Sequence, residues 1–326
     1  PTNKIRVKVN KENVLSSGVV KSDDEALIVP YIDIDLPEGG MTKNQIMMLD
    51  ILANNNWKRP IYFTGGSYSD SEYIWMKEYL QLEGLVYKLV PIRTPQNSDN
   101  PYIMGRLDAD LMYDIVMNWS WGNSESPDIY HDVETRKNSI SFRSNLARLA
   151  EKLIEEDKKE KAKKILDLAI EKMPLDYFGY YSLLVPFVDT YYRLGVLESA
   201  RRLAKQVAFK YSDELEYFES LTPSEQYMMG EDIITQIERY RTLLEAILIH
   251  EDRELLKTEL DYFTNAIQPF KNLYGDYDYY TSLSDFLEGY YLSGQNDKAE
   301  ELAASIVLQY EERFGMIANF SKSNKK

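Results

Sequence analysis

Two patterns of hydrophobic and polar positions follow one another along this chain. Up to about residue 125, short apolar or alternating segments that predict strands are interleaved with segments of helical spacing. From about residue 141, helical periodicity dominates and the strand signals vanish. This change predicts an α+β/α organisation: a small α/β domain with a mixed sheet over residues 1–125, followed by an all-α domain over residues 126–320.

The elements predicted for the first domain alternate in type. Thr42 and Gln45 predict a capping box at the start of its first helix. Residues 61–64 are typical of a short buried strand, and Gly84 ends the helix that follows it. A strand–helix–strand order with short connections favours a right-handed parallel crossover in a sheet of three to five strands. Strands are predicted at residues 5–9, 27–36, 61–64 and 85–92, and helices at residues 42–53, 71–82 and 107–118.

One spacing of large and small apolar residues occurs three times in the second domain. Alanines recur where two helices must approach closely, and Gly195 or Gly294 precedes the second helix of the later copies. The spacing matches the tetratricopeptide helix-turn-helix pattern, so we expect helix pairs stacked into a right-handed superhelix with a concave face. Residues 233–267 carry two further apolar stripes, either degenerate repeats or a helical insertion. The copies are Leu146, Leu149, Ala150, Leu153, Ala162, Leu166, Ala169, Pro174; Leu184, Phe187, Val188, Tyr191, Ala200, Ala204, Val207; and Leu283, Phe286, Leu287, Tyr290, Ala299, Ala303, Ile306.

Composition narrows the classes of ligand. With a net charge of −15, the 326-residue chain lacks the basic excess that phosphate backbones need, so we expect no nucleic-acid partner. It has no cysteine, which rules out disulfides and thiolate metal sites. The two histidines, His131 and His250, lie far apart in sequence, and no nucleophile motif accompanies them. We therefore predict no catalytic residue, no metal site and no cofactor.

The sequence contains no run of eighteen apolar residues, so it predicts no membrane span. The chain starts at Pro1 and enters a strand within a few residues, without a signal-peptide pattern. We therefore expect it to be a piece of a longer protein.

Two carboxylates, Asp33 and Asp35, lie on one face of a predicted strand because side chains alternate there. In nucleotide-sugar glycosyltransferases, such an Asp-x-Asp pair holds a divalent cation on the diphosphate. Composition alone predicts about two such pairs by chance, and three occur in the chain. We therefore assign no metal role to this pair.

Two turns in the first domain are candidate binding sites. Residues 65–69 could present backbone N–H groups to an anion, but they lack the spacing of nucleotide-binding loops, so we favour a plain strand-to-helix turn. Trp57, Lys58 and Arg59 place an indole beside two cations, a combination that can bind a sugar or a carboxylate. The alternative is a structural corner in which Trp57 packs on the sheet edge and Pro60 fixes the entry of the next strand. We favour the corner and keep the first three residues as candidate binding residues.

Tyrosine is abundant, with 26 residues in the chain. Two clusters contain tyrosines outside the repeat positions, and these could line a groove for a peptide or a glycan. Packing inside or between repeats is the alternative interpretation for most of them. The candidate groove residues are Tyr177, Tyr180, Tyr181, Tyr277 and Tyr280.

Residues 47–92 resemble part of a known family. The resemblance is carried by Asn-Asn-Trp-Lys-Arg-Pro-Ile-Tyr-Phe at residues 55–63 and by the segment at residues 79–92. These segments are similar to the soluble C-terminal part of bacterial multi-pass membrane proteins of formerly unknown function, which resemble protein O-mannosyltransferases of the glycosyltransferase-C class. The resemblance covers most of residues 3–210 and is weaker beyond them.

The resemblance implies that a membrane-embedded half of the parent protein holds the lipid-linked sugar site and the catalytic carboxylate. This chain would then be a non-catalytic extracytoplasmic domain on the periplasmic side of the bacterial inner membrane. It would bind or position an acceptor polypeptide or glycan, or contact partner proteins. Two alternatives stay open: a soluble enzyme that uses Asp33 and Asp35 on nucleotide sugars, and a pure scaffold for envelope assembly.

Overall fold

The computed structural model describes residues 4–36, 39–64, 74–95 and 104–323. The chain forms two compact units, residues 1–178 and residues 179–326. The predicted boundary at residue 125 concerns a change of secondary structure, which this division into compact units does not test, and it stays a prediction. Only the backbone is described for Ile74, Trp75, Tyr274, Asp276, Tyr277 and residues 317–323.

The first unit begins with a two-stranded antiparallel sheet, β1 (Lys4–Lys8) and β2 (Tyr31–Asp35). Ile32 and Ile34 of β2 are fully buried and the residues between them are exposed, as the alternation of the sequence predicts. The second strand starts later than predicted, because a 3-10 helix occupies Ser22–Leu27 and an irregular stretch follows it.

Two helices pack beside this sheet, α1 (Lys11–Ser16) and α2 (Lys43–Asn55). The hydroxyl of Thr42 accepts from the backbone N–H of Gln45, and the Gln45 side chain accepts from the backbone N–H of Thr42 at 2.9 Å. The predicted capping box is therefore confirmed, and it satisfies two amide groups at the start of α2.

A second sheet has four strands in the order β3-β5-β4-β6. Its members are β3 (Tyr62–Phe63), β4 (Leu80–Glu83), β5 (Val86–Leu89) and β6 (Arg106–Leu107). The pairs β3/β5 and β4/β5 are antiparallel, and β4/β6 is parallel. This is a mixed sheet of the predicted size.

A hairpin replaces the predicted helix and crossover. The segment expected to be helical forms a 3-10 helix at Ile74–Tyr79 and then β4, and a two-residue turn at residues 84–85 leads back into β5. Gly84 has a φ of +65°, which suits the first position of a type II′ turn. The predicted crossover would have joined β3 and β5 in parallel, and these two strands pair antiparallel, so that prediction is wrong.

Burial on both faces explains why β4 was mistaken for the end of a helix. Glu83 is buried and forms an ion pair with Lys88 of β5, and it accepts hydrogen bonds from Gln81 at 2.7 Å and from the Tyr62 hydroxyl at 3.2 Å. This network buries the polar side chains together with Leu80, so the period of two disappears from the sequence. Tyr62 itself is exposed, so the expectation that β3 is buried was wrong.

Four helices complete the first unit, and the second and third of them pack against each other as a pair. They are α3 (Ala109–Met117), α4 (Val133–Glu155), α5 (Lys159–Lys172) and α6 (Leu175–Phe178). Asp108 caps α3 by accepting from the N–H of Leu111 at 3.1 Å. Leu146 and Leu149 of α4 and Ala162 of α5 are fully buried where the pair closes.

The second unit is helical throughout its described residues, as predicted. Gly195 and Gly294 have φ values of +74° and +76° in the turns of α7–α8 and α14–α15, the helix pairs at the second and third repeat copies. Assignment of these pairs to the tetratricopeptide class stays a prediction. The helices are α7 (Val185–Arg193), α8 (Leu197–Glu219), α9 (Pro223–Met228), α10 (Gly230–Ile249), α11 (Arg253–Ile267), α12 (Lys271–Tyr274), α13 (Asp276–Ser282), α14 (Leu287–Leu292) and α15 (Asn296–Ser323).

A row of aromatic rings runs through the core of the second unit. Tyr181, Tyr211, Tyr240, Phe263 and Phe286 follow one another with ring centroids 6.2, 5.7, 5.1 and 5.5 Å apart. The last four rings are almost completely buried. These four rings therefore contribute packing between helices and leave no ring face for a ligand.

Candidate binding site

A pocket of about 560 Å³ opens in the first unit at the N-terminal end of α4. The loop before α4, the first two turns of α4, the end of α5, α6 and the β4–β5 turn surround it. We call the following fifteen residues the tryptophan pocket: Leu85, Trp119, Ser120, Trp121, Gly122, Ser124, Ile129, Tyr130, His131, Thr135, Asn138, Ser139, Phe142, Met173 and Phe178.

One face of α4 supplies a wall of the pocket. Thr135, Asn138, Ser139 and Phe142 have the spacing i, i+3, i+4, i+7, which puts their side chains on the same side of the helix. Leu146 continues this face into the buried core of the first unit. The first two turns of α4 thus carry small polar residues where the rest of the face carries leucine, and this break in the pattern leaves a cavity instead of a packed core.

Three aromatic rings pack together beside that wall. The ring centroids of Trp119 and Trp121 lie 5.4 Å apart, and each lies within 5.6 Å of the Phe142 centroid. The interplanar angles are 66° and 70° for the contacts of Trp119 and 50° between Trp121 and Phe142. All three side chains are only half-buried, so the cluster still offers aromatic surface to the pocket.

His131 supplies a polar group with a defined orientation. Its Nε2 lies 2.9 Å from the backbone carbonyl oxygen of Ser124. A carbonyl oxygen only accepts, so Nε2 carries the hydrogen and, in the neutral ring, Nδ1 is an acceptor. The ring packs on Phe178 with a centroid distance of 4.6 Å, which fixes the imidazole at the pocket wall.

The loop that carries the two tryptophans is fastened to the end of α5. The Ser124 hydroxyl donates to the carbonyl oxygen of Lys172 at 2.6 Å, and the Lys172 ammonium lies 2.6 Å from a carboxylate oxygen of Glu125. This pairing lowers the pKa of Glu125. The fully buried Arg143 donates to the carbonyl oxygen of Met173 at 2.9 Å. These bonds hold the pocket in shape without a ligand, which reduces the ordering that binding requires.

Gly84 connects the β4–β5 hairpin to the pocket. Its carbonyl oxygen accepts from the Asn145 amide at 3.0 Å. A Cβ atom at this position would lie only 3.1 Å from Cζ2 of Trp119 and 3.3 Å from Cγ2 of Ile115. A glycine here therefore lets the indole of Trp119 lie directly on the turn.

The predicted site around Trp57 is a corner in the structure. Trp57 is 4% exposed, and its indole N–H donates to the carbonyl oxygen of Lys8 at 3.0 Å. The side chain of Asn55 accepts from the N–H of Arg59 at 3.1 Å and donates to its carbonyl oxygen at 2.7 Å. Lys58 and Arg59 are exposed beside the corner, and the indole is closed off from both by burial.

The predicted groove tyrosines whose side chains the structure describes have different surroundings. Tyr177 is half-buried in α6 and Tyr180 is exposed, whereas Tyr181 belongs to the aromatic row. Tyr280 has the Lys271 ammonium 4.7 Å from its ring centroid and lines a separate pocket of about 360 Å³. The side chain of Tyr277 lies outside the described residues.

The two aspartates considered for metal binding are engaged with basic residues across the first sheet. Arg6 donates two hydrogen bonds to Asp33, at 2.7 and 3.0 Å, and Lys4 lies 3.0 Å from Asp35. The Arg6 guanidinium lowers the pKa of Asp33. Within the described ranges, no group of three or more His, Asp or Glu residues is arranged to hold a metal ion. The glycine turn at residues 65–69 lies outside the described residues.

Sequence reasoning missed the tryptophan pocket, although a signal was present. Two of the four tryptophans of the chain lie within three residues, in Trp-Ser-Trp-Gly at residues 119–122. Two bulky aromatics among small polar residues contribute poorly to a regular helix or strand, which favours a loop that presents them. The polar positions Thr135, Asn138 and Ser139 on a predicted apolar face were the second signal.

Comparison with known proteins gives a match for the first part of the chain. Residues 1–111 match the family model described as TMEM260-associated domain 2. The match covers about a third of the chain and says what this region is similar to. No curated protein and no solved structure matches the chain. Of the tryptophan pocket, only Leu85 lies within the matched residues.

Among the described residues, none of the helices combines the length and the apolar character that a membrane crossing requires.

Proposed function

We propose that this chain is a non-catalytic extracytoplasmic domain of a glycosyltransferase-like membrane protein, on the periplasmic side of the bacterial inner membrane. In this proposal it binds or positions an acceptor polypeptide or glycan. The match of residues 1–111 to TMEM260-associated domain 2 supports the membrane-protein context.

The tryptophan pocket is the observation that carries the binding role. Trp119, Trp121 and Phe142 keep half-exposed rings in a concave site. Exposed aromatic surface in a concave, preformed site is the feature that distinguishes ligand pockets from ordinary surface. In our proposal an acceptor covers these rings.

The helix pairs of the second unit supply a further surface for partner proteins. We include tetratricopeptide-like helix pairs in the proposal because the alanines at equivalent positions of two pairs, Ala200 and Ala299, are both fully buried. The turns at Gly195 and Gly294 also have nearly equal φ values. Repeats of this kind commonly present a groove to peptides.

The alternative of a soluble nucleotide-sugar enzyme is less favoured. It requires Asp33 and Asp35 to bind a cation, and Arg6 and Lys4 already neutralise both carboxylates. A pure scaffold would bind no acceptor, so a binding experiment distinguishes it from our proposal.

A binding experiment with matched variants tests the proposal. Fluorescently labelled peptides rich in serine and threonine, each in an unmodified and a hexosylated form, are titrated with the purified chain while fluorescence anisotropy is recorded. We expect one form to bind, Trp121→Ala to weaken that binding at least about tenfold, and Tyr227→Ala to leave it unchanged. Tyr227 is a suitable control because it is an aromatic residue of α9 that is 82% exposed. Absence of binding by both forms contradicts the acceptor role and leaves the scaffold.

A further inference from the structure

The composition of the tryptophan pocket narrows its ligand further than the proposed function does. We infer that the pocket recognises a neutral hexopyranose unit of a glycan; this inference rests on the proposed function, because it assumes that the pocket is the acceptor-binding site.

The lining of the tryptophan pocket carries no charged side chain. Among the fifteen residues that line the pocket there is no Lys, Arg, Asp or Glu, although these residues make up 28% of the chain. A phosphate, carboxylate or ammonium group entering this pocket would lose water without gaining an opposite charge. The lining therefore favours a neutral ligand over a nucleotide, an acidic peptide or a basic one.

The three aromatic rings of the pocket lie too close together to form a cage for a cation. An aromatic cage for a cation needs rings that stand apart with the cation between them. Here the centroids of Trp119, Trp121 and Phe142 are 5.2 to 5.6 Å apart, so the rings touch one another and leave no such space. They form one wall with outward aromatic surface. The C–H face of a pyranose ring is flat and apolar, and it stacks on a surface of this kind.

A mixture of hydrogen-bonding groups lies around the wall. Asn138 and the Tyr130 hydroxyl each offer a donor and an acceptor, and His131 has an acceptor at Nδ1. The Thr135 hydroxyl donates to the Asp132 carboxylate and therefore offers an acceptor. A sugar hydroxyl also donates and accepts, so it matches such a rim. A proline or an aromatic side chain in the pocket would leave these groups without ligand partners, which lowers its affinity relative to a polyhydroxylated ring.

The size of the pocket agrees with this assignment. A volume of about 560 Å³ lies inside the range of about 300–1,000 Å³ that is common for small-ligand sites. The loop that carries the tryptophans is held by Ser124 and Glu125 at the end of α5, so the wall is in place before the sugar arrives.

Saturation-transfer NMR on the whole chain tests the inference. The probes are the methyl glycosides of glucose, galactose and mannose, each beside a charged relative, glucuronic acid or glucosamine, and a decaproline peptide as the competing class of ligand. We expect at least one neutral glycoside to bind at least about tenfold more tightly than its charged relative. Trp121→Ala and Asn138→Ala should each abolish the signal, Trp121→Phe should retain part of it, and Tyr227→Ala should not change it.

The possible failures are distinguishable. Binding of decaproline or of unmodified peptides without any glycoside overturns the inference and leaves the acceptor role in place. Equal binding of neutral and charged sugars overturns the argument from the uncharged lining. If neither sugars nor peptides bind the folded chain, both the inference and the proposed function are wrong. Circular dichroism of each variant establishes that a lost signal reflects the pocket and not an unfolded chain.

Discussion

The tryptophan pocket and the corner around Trp57 use the same side chain in opposite ways. Trp57 is almost fully buried and its indole N–H is already bonded to the carbonyl oxygen of Lys8. Trp119 and Trp121 are half-exposed, and no hydrogen bond joins their indole N–H groups to any described residue. The difference shows that the sequence around a tryptophan does not reveal whether its indole is buried and hydrogen-bonded or partly exposed.

The second unit extends this comparison to tyrosine. Tyr181, a predicted groove residue, contributes its ring to the aromatic row, in which Tyr211 and Tyr240 are sealed among helices. Tyr280 pairs instead with Lys271. Tyr181 therefore has a packing position and Tyr280 a position at a pocket, and measured stability and binding can separate the two roles.

The largest expected difference is between two tryptophan variants. Trp57→Ala should lower the free energy of unfolding by about 3–5 kcal/mol, because it removes a buried ring and leaves a cavity. Trp121→Ala should lower it by only about 1 kcal/mol, because much of that ring is already exposed to water. Urea unfolding followed by circular dichroism gives both values. If both variants lower the free energy of unfolding by the same amount, the proposed distinction between the corner and the pocket is wrong.

Gly84 gives the next largest effect. Gly84→Ala should destabilise the chain by about 2–4 kcal/mol, since the new Cβ adds a steric clash with Trp119 to the strain of a positive φ. Gly18→Ala is the matched control, because Gly18 also has a positive φ, +70°, but its Cβ would meet no atom within 4 Å. It should cost only the backbone strain, about 1–2 kcal/mol. If both variants unfold at the same urea concentration, the hairpin does not support the pocket.

Glu259 tests whether a polar side chain in the second unit is buried from water as the rings of the aromatic row are. Burial raises the pKa of Glu259 to about 7, against an opposing effect of Lys205. The folded chain therefore keeps this carboxyl protonated at a pH where the unfolded chain ionises it. The free energy of unfolding that the protonated carboxyl contributes is fully present below about pH 4.5, and it declines as the pH rises to about 7.

Glu259→Gln should therefore raise the free energy of unfolding by about 2 kcal/mol at pH 8 and leave it nearly unchanged at pH 4. Glu300→Gln, at an exposed position of α15, is the control and should show no pH-dependent difference from the wild type. The measurement is urea unfolding at the two pH values. A stabilisation of the same size at both would mean that ionisation of Glu259 is not responsible.

The smallest effect concerns a single hydroxyl in the aromatic row. The hydroxyl oxygen of Tyr211 is buried and has no hydrogen-bond partner among the described residues. Tyr211→Phe should therefore stabilise the chain by about 1 kcal/mol. Tyr192→Phe should destabilise it by about 1–2 kcal/mol, because the Tyr192 hydroxyl donates to the buried carboxylate of Asp252 at 2.9 Å. Thermal unfolding of the two variants gives the sign, and a destabilising Tyr211→Phe would show that its hydroxyl does have a partner.

The elements that the sequence predicted well are those with local signals. The capping box of Thr42 and Gln45 needs only residues three apart, and the helices after residue 141 have a strong period. The strand β4 could not be predicted in this way, because the buried ion pair of Glu83 with Lys88 of β5 removes the polar alternation. Pairing between strands is a non-local property, so the hairpin was mistaken for a helix and a crossover.

The binding site shows the same limit. Trp57, Lys58 and Arg59 look like a site because they are adjacent, but adjacency does not reveal that Lys8 accepts the indole N–H. The tryptophan pocket joins segments from Leu85 to Phe178, and its concave shape exists only after folding. Sequence alone could have singled out Trp-Ser-Trp-Gly at residues 119–122, but not the wall that α4 builds beside it.

The central claim is that Trp119 and Trp121, and not Trp57, contact the ligand. The chain can be labelled with 5-fluorotryptophan, which gives one fluorine NMR signal for each of its four tryptophans, assigned by single Trp→Phe variants. On titration with a hexosylated peptide, we predict that the signals of Trp119 and Trp121 shift and broaden while that of Trp57 stays in place. A shift of the Trp57 signal with unchanged signals from Trp119 and Trp121 would contradict the assignment of the pocket as the binding site.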